Sequence, residues 1–303
     1  MRASVILCTY NRCELLGKAL EDLVLQRISA SLWWELIVVD NNSTDQTTRV
    51  VERAAVLFQG KLKYVRECKQ GKSYALNRGV FESAGDILVF VDDDVTISKG
   101  WLQSICAPFE NPNVAGVGGR ILPEWQTPPP PWIPFEDHYG LAPLVSFDFG
   151  QSSARLDEAP FGANMAFRRE MFDKYGLFRN DLGPCPGSEI RGEDSEWASR
   201  LLKAGERLNY EPSALIYHPV PEQRSTKEYF LRWWFDKGRS EARVHTRTVA
   251  WRIGNVPLLL IRRLVANFVR WSLTRGASRR FRHKLAVWAN AGSIVEHFRR
   301  RSG

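Results

Sequence analysis

Three consecutive aspartates, Asp92, Asp93 and Asp94, follow a run of five apolar residues in the segment ILVFVDDDVTI, residues 87–97. Like charges at the end of a buried strand repel one another and resist desolvation, and a bound cation is the obvious candidate to offset that cost. Because alternate side chains of an extended chain point the same way, Asp92 and Asp94 can share a site while Asp93 points elsewhere. Mg²⁺ and Mn²⁺ prefer oxygen ligands and usually take one or two carboxylates together with phosphate oxygens. The pattern therefore predicts a metal that bridges the protein to a diphosphate, and the alternative is an acidic loop between strands.

Two further segments carry side chains suited to a nucleotide. TYNR offers a hydroxyl and an aromatic ring for a base, from Thr9 and Tyr10, and the guanidinium of Arg12 for phosphate. Asp40 ends the apolar run of VVDNNSTD, where its carboxylate could accept hydrogen bonds from a base or a ribose. The polar residues after Asp40 would also cap the following helix well, and both interpretations can hold at once.

The candidates for proton transfer are Glu193 and Asp194, in the segment GED at the start of a predicted helix. A carboxylate at a helix N-terminus is stabilised as the anion and is available to accept a proton; the alternative is a simple N-cap. His218, in IYHPV, is the other chemical candidate. A lone histidine is more often structural, and it becomes a metal-ligand candidate only if it lies beside the aspartates.

The first half of the chain alternates strand-like and helix-like patterns, which predicts βαβ units and a buried parallel sheet. In such sheets ligands bind at the carboxyl ends of the strands, where the polar segments described above would gather. A proline-rich segment, residues 123–135, is interpreted as a loop over the site, with a proline-rich partner ligand as the alternative. The predicted strands are residues 4–10, 34–43, 61–67, 86–94 and 206–220, and the predicted helices are 12–26, 45–58, 72–84 and 195–205.

Composition limits the class of protein. The chain has 303 residues, of which 44% are hydrophobic and 11 are tryptophan, so it can form a substantial core. Its five cysteines form no C-x-x-C pair, which suits a reducing compartment and argues against a zinc ribbon or a disulfide scaffold. The sequence enters its first strand without a signal-peptide pattern, and we expect a cytoplasmic protein.

Charge separates the chain into an acidic body and a basic tail. Residues 222–303 contain 19 Lys and Arg against 5 Asp and Glu, whereas residues 1–221 contain 23 against 29. We therefore predict one α/β domain over residues 1–221 and a basic, helical region over residues 222–303. Two stretches of the tail, residues 258–275 and 279–301, read as amphipathic helices too short in apolar content to span a bilayer. They suit an anionic membrane surface, and the alternative is that they pack on the enzyme body.

Together these residues resemble the family 2 glycosyltransferases with the nucleotide-diphospho-sugar transferase (GT-A) fold. The resemblance extends from about residue 3 to residue 220 and consists of eight motifs in the family's order and spacing. These are TYNR, VVDNNSTD, ALNRG, VFVDDD, FGANMAFRREMF, FRNDLG, GEDSEWASRLLKAG and YEPSALIYHP.

The resemblance implies a Rossmann-like α/β/α sandwich and an inverting transfer from a nucleotide-diphospho-sugar, with a UDP-sugar expected, to a hydroxyl of a cell-envelope, polysaccharide or lipid-linked acceptor. It implies Mg²⁺ or Mn²⁺ as cofactor, with Asp92, Asp94 and His218 at the metal. Asp194 would be the general base, with Glu193 beside it. The residues implied at the nucleotide and the substrates are Thr9, Tyr10, Arg12, Asp40, Asn42, Lys72, Asn77, Arg78, Asp92, Asp93, Gly162 and Asn164.

Two departures from the family pattern affect these expectations. Related sequences often carry a basic residue just before the Asn of ALNRG, where this chain has Leu76, so Lys72 or Arg78 would substitute in contacting the diphosphate. The Q-x-x-R-W motif of processive enzymes is absent, which predicts one sugar per encounter.

Two other functions compete with sugar transfer. A sugar nucleotidyltransferase would carry a Gly-rich, basic loop after its first strand, which CTYNRCELLG lacks. A nucleic-acid-binding protein would interleave aromatic and basic residues on one exposed face, whereas the aromatic residues of the tail tend to share the apolar face. We expect no nucleic-acid partner, and we expect the basic tail to make the protein peripheral on the inner face of the plasma membrane.

Overall fold

The computed structural model describes residues 1–133, 140–244 and 251–299, and the chain divides into two compact units. The second unit takes two segments from earlier in the chain, and the predicted domain boundary at residue 221 stays a prediction. The first unit comprises residues 1–124, 145–186 and 193–219, and the second comprises residues 125–144, 187–192 and 220–303.

The first unit is built on a mixed sheet. Its strands are β1 (Arg2–Thr9), β2 (Trp33–Asp40), β3 (Leu62–Arg66), β4 (Ile87–Asp92), β5 (Thr96–Ile97), β6 (Val114–Trp125), β7 (Ala154–Leu156), β8 (Asn164–Arg168) and β9 (Arg207–Val220). In the described part of the chain the strand order is β3-β2-β1-β4-β8-β6-β9-β5, and β7 pairs with β9. The first four strands in this order are parallel, and β8 is antiparallel to β4.

Helices connect the parallel strands and follow β8. They are α1 (Cys13–Val24), α2 (Thr47–Ala55), α3 (Lys72–Glu82), α4 (Trp101–Cys106), α5 (Arg169–Tyr175) and α6 (Glu193–Lys203), with a 3₁₀ helix at Ala107–Glu110. The interior of β1, β2 and β4 is almost continuously buried, as expected for parallel strands covered on both faces. The predicted α/β class and the alternation of the first half are therefore confirmed.

The second unit is mainly helical. It contains α7 (Lys227–Val244), the short strands β10 (Arg252–Ile253) and β11 (Val256–Pro257), and the helices α8 (Leu258–Leu273) and α9 (Ala277–Arg299), with 3₁₀ helices at Ala142–Leu144 and Glu222–Ser225. The two helices predicted in the tail are confirmed, although Arg300 and Arg301 lie outside the described residues.

α7 lies within the region predicted to be helical, although its bounds were not predicted, and a glycine contact explains its packing. Gly238 of α7 lies directly against the backbone of Ala289 in α9, and Gly292 of α9 lies against the backbone of Phe235 in α7. A Cβ at either glycine would collide with the neighbouring backbone. A mid-helix glycine weakens a helix pattern in the sequence, whereas here it permits the two helices to approach closely.

The proline-rich segment, predicted as a loop over the site from residue 123, begins inside β6, because Pro123, Glu124 and Trp125 are the last residues of that strand. Residues 125–133 belong to the second unit. Trp132 packs edge-on against Phe230 of α7 at 5.1 Å and Phe281 of α9 at 5.0 Å between ring centroids, and Ile133 is buried. The last two residues of the predicted segment, Pro134 and Phe135, lie outside the described residues.

Within the described ranges, no helix combines the length and the apolar content needed to cross a bilayer.

Candidate active site

The carboxyl ends of β1, β2 and β4 meet at one edge of the sheet because these strands are parallel and adjacent. The register pairs Thr9 of β1 with Asp40 of β2, and Cys8 of β1 with Asp92 of β4. Ligands of open α/β sheets bind beyond this edge. Three of the motifs singled out in the sequence are thus brought together by the strand register.

The aspartate triplet is contacted by two cationic side chains. Arg12 Nη1 lies 3.1 Å from Asp93 Oδ1 and 3.1 Å from Asp94 Oδ2, and Lys72 Nζ donates to Asp92 Oδ1 at 2.7 Å. Burial alone would raise the pKa of Asp92, but the ammonium of Lys72 lowers it. Burial raises the pKa of Asp93 to about 6, although Arg12 opposes this effect. The cost of gathering three carboxylates is therefore offset in part by the chain's own side chains.

The side chains that could hold a divalent metal ion are those of Asp94 and His218. His218 Nε2 lies 3.9 Å from Asp94 Oδ1, and His218 is buried on β9. No group of three or more His, Cys, Asp and Glu side chains in the described ranges is arranged to hold a metal ion. A carboxylate and an imidazole nevertheless fit Mg²⁺ or Mn²⁺, because these ions take few protein ligands and complete their shell with phosphate oxygens and water. Asp92, the third predicted ligand, is engaged by Lys72.

The carboxylate of Asp40 is buried and bonded on both oxygens. Oδ1 accepts from the backbone N–H of Ser43 at 2.8 Å, and Oδ2 accepts from the hydroxyl of Tyr64 at 2.6 Å. Asn42 has a positive φ of 68° and accepts a hydrogen bond from Arg66 through Oδ1 at 2.9 Å. Asp40 therefore shapes the turn after β2 and has lone pairs left for a ribose hydroxyl.

The side chains of the TYNR segment differ from one another in burial. Thr9 is buried at the end of β1, whereas the ring of Tyr10 is exposed just beyond the edge of the sheet, where a base could stack on it. Asn11 takes a positive φ of 50° and accepts from the backbone N–H of Thr44 through Oδ1 at 2.7 Å. This turn brings Arg12 to the aspartates.

Lys72, at the start of α3, connects the aspartates with the segment GED. Burial lowers the pKa of Lys72, but the charges of Asp92, Glu193 and Asp194 outweigh this effect and raise it. Glu193 is buried, and burial together with the charge of Asp194 raises the pKa of Glu193 to about 7. One ammonium therefore lies among carboxylates from β4 and α6.

Asp194 is held at the N-terminus of α6 by backbone donors. Its Oδ2 accepts from the N–H of Gly162 at 2.6 Å, and its Oδ1 accepts from the N–H of Ser195 at 2.6 Å. The approach to Gly162 is close, since a Cβ there would lie 2.9 Å from Asp194 Oδ2. These N–H donors fix the orientation of the carboxylate, and a general base must be positioned in this way.

Asn164 has a structural environment. It is fully buried on β8, where its Oδ1 accepts from Trp101 Nε1 at 2.8 Å and its Nδ2 donates to the carbonyls of Arg120 and Ala214 at 3.0 and 2.8 Å. The side chain thus joins α4, β6, β8 and β9. The amide of Asn164 is therefore engaged by buried groups of the chain, and its predicted contact with the substrates stays a prediction.

The ALNRG segment contributes to structure through Asn77 and Arg78. Asn77 donates to the carbonyl of Phe178 at 2.9 Å and accepts from its N–H at 3.0 Å. Arg78 pairs with Glu82 at 2.6 Å on the same helix, and Leu76 is buried in the core. Of the two basic residues proposed to replace a cation at position 76, Lys72 contacts the aspartates and Arg78 pairs with Glu82.

Sequence reasoning missed two residues that support this site. Tyr64 bonds Asp40, and Asn41 accepts from the N–H of Gly71 at 2.7 Å and donates to the carbonyl of Lys69 at 2.7 Å, which orders the loop leading into Lys72. An Asn directly after a strand-ending aspartate was an available signal, because its amide can bond two backbone groups at once. The sequence contained no signal for Tyr64, since its role depends on the register of β3.

Comparison with known proteins identifies the family. The family model described as glycosyl transferase family 2 matches residues 4–176, which is more than half of the chain. The chain belongs to this family. It is therefore a glycosyltransferase, and the alternative of a sugar nucleotidyltransferase is not supported.

Relatives of this family 2 glycosyltransferase cover most of its length. A glucosyl-dolichyl phosphate glucuronosyltransferase of Haloferax volcanii is 25% identical over 245 residues, covering 80% of this chain and 76% of the relative. The succinoglycan biosynthesis protein ExoM of Rhizobium meliloti is 26% identical over 252 residues, covering 81% and 77%.

The fold agrees with solved glycosyltransferase structures. The mannosyltransferase PcManGT of Pyrobaculum calidifontis, solved with GDP-Man and Mn²⁺, matches with a TM-score of 0.67 and 20% identity over 97% of this chain and 86% of that chain. At this identity the likeness concerns the fold, and it confirms the predicted GT-A architecture with a helical C-terminal region.

Proposed function

We propose that the chain is an inverting, metal-dependent glycosyltransferase that moves a sugar from a nucleotide-diphospho-sugar to a hydroxyl of a cell-envelope, polysaccharide or lipid-linked acceptor. The observation that carries this proposal is the gathering of Asp92, Glu193 and Asp194 around Lys72 at the carboxyl edge of the sheet. Lys72 can bind the anionic diphosphate, and the carboxylates around it include the candidate base Asp194 and the first aspartate of the triplet that contains the proposed metal ligand Asp94.

Asp194 is proposed to accept the proton of the acceptor hydroxyl. Inversion in a single displacement requires a base on the face of the sugar opposite the leaving diphosphate. The carboxylate keeps lone pairs for an acceptor hydroxyl, since each oxygen can accept two hydrogen bonds. Glu193 is buried and has a raised pKa, which favours a supporting role next to Asp194.

The donor is proposed to lie between the TYNR turn and the aspartates. Tyr10 and Asp40 would hold the base and the ribose, and Arg12 and Lys72 would contact the diphosphate. Asp94 and His218 would hold the metal ion, which is Mg²⁺ or Mn²⁺ as predicted from the sequence. The ion, when bound, supplies positive charge that stabilises the departing diphosphate.

The acceptor class is supported by the names of relatives. One relative is a glucosyl-dolichyl phosphate glucuronosyltransferase and another a succinoglycan biosynthesis protein, which supports a lipid-linked or polysaccharide acceptor. The expected place of the protein, cytoplasmic and peripheral on the inner face of the plasma membrane, stays a prediction, and so does transfer of one sugar per encounter.

A panel of nucleotide-sugars tests the donor. Each UDP-sugar and GDP-sugar is added with and without Mn²⁺, and the melting temperature is followed, because a ligand that binds only the folded state raises stability by about 2.7 kcal/mol at a hundredfold excess over Kd. For 303 residues, with an unfolding entropy of about 2.1 cal/mol/K per residue, that corresponds to a rise of roughly 4 °C. We expect a UDP-sugar to give the largest rise, and only in the presence of Mn²⁺.

The matched control is Asp94→Asn, which preserves the volume of a proposed metal ligand. It should lose the Mn²⁺-dependent part of the rise and keep the melting temperature of the free protein. If no nucleotide-sugar stabilises the wild type, with or without Mn²⁺, the proposed donor class is wrong.

A further inference from the structure

The helix α8 exposes a broad apolar face, which we define as Leu259, Val265, Phe268, Val269 and Leu273 and call the α8 face. None of the 16 residues of α8 is buried against the described part of the chain. Leu273 is 76% exposed and Phe268 is 52% exposed. A helix with this much exposed aliphatic and aromatic surface is expected to have a partner that covers it.

The hairpin before α8 extends this surface. Trp251 is 76% exposed and Ile253 60% exposed, and the carbonyl of Trp251 accepts from the N–H of Leu258 at 3.0 Å, which attaches the hairpin to the start of α8. A cavity of about 410 Å³ lies between them, lined by Trp251, Leu258, Leu259 and Arg262. An arginine in an apolar cavity suits a ligand that carries an anionic group on an apolar body.

The opposite side of α8 contacts α9. Trp271 packs edge-on against Trp288 of α9, with ring centroids 6.2 Å apart, and Lys284 of α9 lies over both rings at 5.5 and 5.2 Å. The α8 face is therefore the side of the helix that does not contact α9.

The sequence that forms the hairpin, α8 and most of α9 carries charge of one sign. From Trp251 to Val295 the sequence contains nine Lys and Arg and no Asp or Glu. Arg262, Arg263 and Arg270 are exposed on α8 itself. A basic rim around exposed Trp, Phe, Leu and Val side chains matches the interface of an anionic bilayer, where apolar groups enter the acyl region and arginines meet the headgroups.

We propose that the α8 face and the hairpin at Trp251 form a docking surface for an anionic lipid bilayer, with Arg262 binding a lipid phosphate. A second copy of the chain is a poorer occupant, because two surfaces carrying only positive charge repel each other. Nucleic acid would use the arginines but would leave the leucines and valines in water. The surface is independent of the sugar-transfer site, and its test requires no donor.

Vesicle binding by the full chain is the direct test. The protein is sedimented with phosphatidylcholine vesicles that contain or lack phosphatidylglycerol. We expect binding to the anionic vesicles that falls by at least about tenfold when phosphatidylglycerol is omitted, since several arginines contribute and each is worth about fivefold. Raising the salt from 0.1 to 1 M should weaken binding strongly, because the screening length falls from about 10 to 3 Å.

The double variant Phe268→Ser/Leu273→Ser removes the apolar insertion without touching a charge. We expect a loss of about tenfold or more in partition onto anionic vesicles. Its matched control is Phe81→Ser/Leu57→Ser, which removes the same two side-chain types from exposed positions of the first unit and should bind like the wild type. Arg262→Gln is the second test, with about a fivefold loss on anionic vesicles and no change on neutral ones.

Four outcomes would overturn the proposal. The first is equal binding of the wild type to neutral and anionic vesicles. The second is wild-type vesicle binding by Phe268→Ser/Leu273→Ser, and the third is an equal loss of binding in the control pair. The fourth is a dimer in sedimentation velocity that Phe268→Ser/Leu273→Ser dissociates while its vesicle binding is unchanged. Binding of a DNA or RNA oligonucleotide that only Arg262→Gln weakens, with no vesicle binding by the wild type, would likewise replace the bilayer by nucleic acid as the occupant.

Discussion

Replacing Asp194 by Asn tests the proposed base, because it preserves the shape of the side chain and removes its charge. Both carboxylate oxygens accept a backbone N–H at 2.6 Å, from Gly162 and from Ser195. The amide of Asn offers one oxygen, so its NH₂ group must face one of these donors. That donor loses its partner, which costs about 1–3 kcal/mol of unfolding free energy.

The catalytic loss should be larger and should leave donor binding intact. General base catalysis contributes about 10²–10⁴ to a rate, which corresponds to roughly 3–5 kcal/mol in the barrier at 1.36 kcal/mol per tenfold. We expect kcat to fall by this factor while the donor and Mn²⁺ still raise the melting temperature. The assay is release of the nucleoside diphosphate at saturating donor and acceptor, with urea unfolding measured in parallel.

Ser195→Ala is the matched control for Asp194→Asn. It removes a hydroxyl that donates to Asp194 Oδ1 at 3.1 Å and leaves the carboxylate in place, so only a small loss of rate is expected. A near-wild-type rate in Asp194→Asn would refute the assignment of the base. A large loss confined to Glu193→Gln would instead assign proton transfer to Glu193.

Three further changes separate structural from chemical roles. Asn164→Ala leaves Trp101 Nε1 and two buried carbonyls unpaired, so urea unfolding should show a loss of about 3 kcal/mol or more; an unchanged stability with weaker donor binding would contradict this interpretation. The pKa of Glu193 is about 7 in the folded protein, against an ordinary value of 4.5. Between these two pH values the folded state therefore binds a proton that the unfolded state has lost. The free energy of unfolding of the wild type should fall by up to about 3 kcal/mol as the pH rises from 4.5 to 7. Glu193→Gln should remove that fall, and equal pH profiles for the two proteins would contradict the raised pKa. Asp94→Asn should lower Mn²⁺-supported transfer by at least about 10- to 100-fold. Chelation of the wild type should also lower it, and unchanged turnover in either experiment would remove the metal from the mechanism.

Much of the sheet could be predicted because its strands are locally distinct. The apolar runs of β1, β2 and β4 end in polar side chains, and parallel topology then requires those ends to meet. The sequence could not show which cation neutralises which aspartate, since Lys72 reaches Asp92 only through the packing of α3 on the sheet. The sequence also could not show that the amide of Asn164, a polar residue in a recognised motif, bonds three buried groups of the chain.

The unpredicted parts of the fold depend on contacts between distant segments. The short antiparallel strand β8 has no periodic signal of its own, and it is defined by pairing with β4 and β6. In α7 the pattern of aromatic residues is interrupted by Gly238, whose value becomes visible only when Ala289 of α9 lies against it. A local pattern cannot report a contact between residues that are about 50 positions apart.

The two cationic side chains at the aspartates differ in solvent exposure, and this difference affects how a metal ion and a nucleotide-sugar would bind. Arg12 is 45% exposed and bridges Asp93 and Asp94. Lys72 is 26% exposed, donates to Asp92 at 2.7 Å, and is stabilised as the cation by the charges of Glu193 and Asp194 in α6. At the proposed metal site, an ion arriving alone would have to compete with Arg12 for Asp94. A diphosphate offers Arg12 a new anionic partner and at the same time supplies oxygen ligands for the ion. Because each ligand removes an obstacle to the other, the metal and the nucleotide-sugar are expected to bind with positive coupling, and by linkage each should raise the affinity of the other by the same factor.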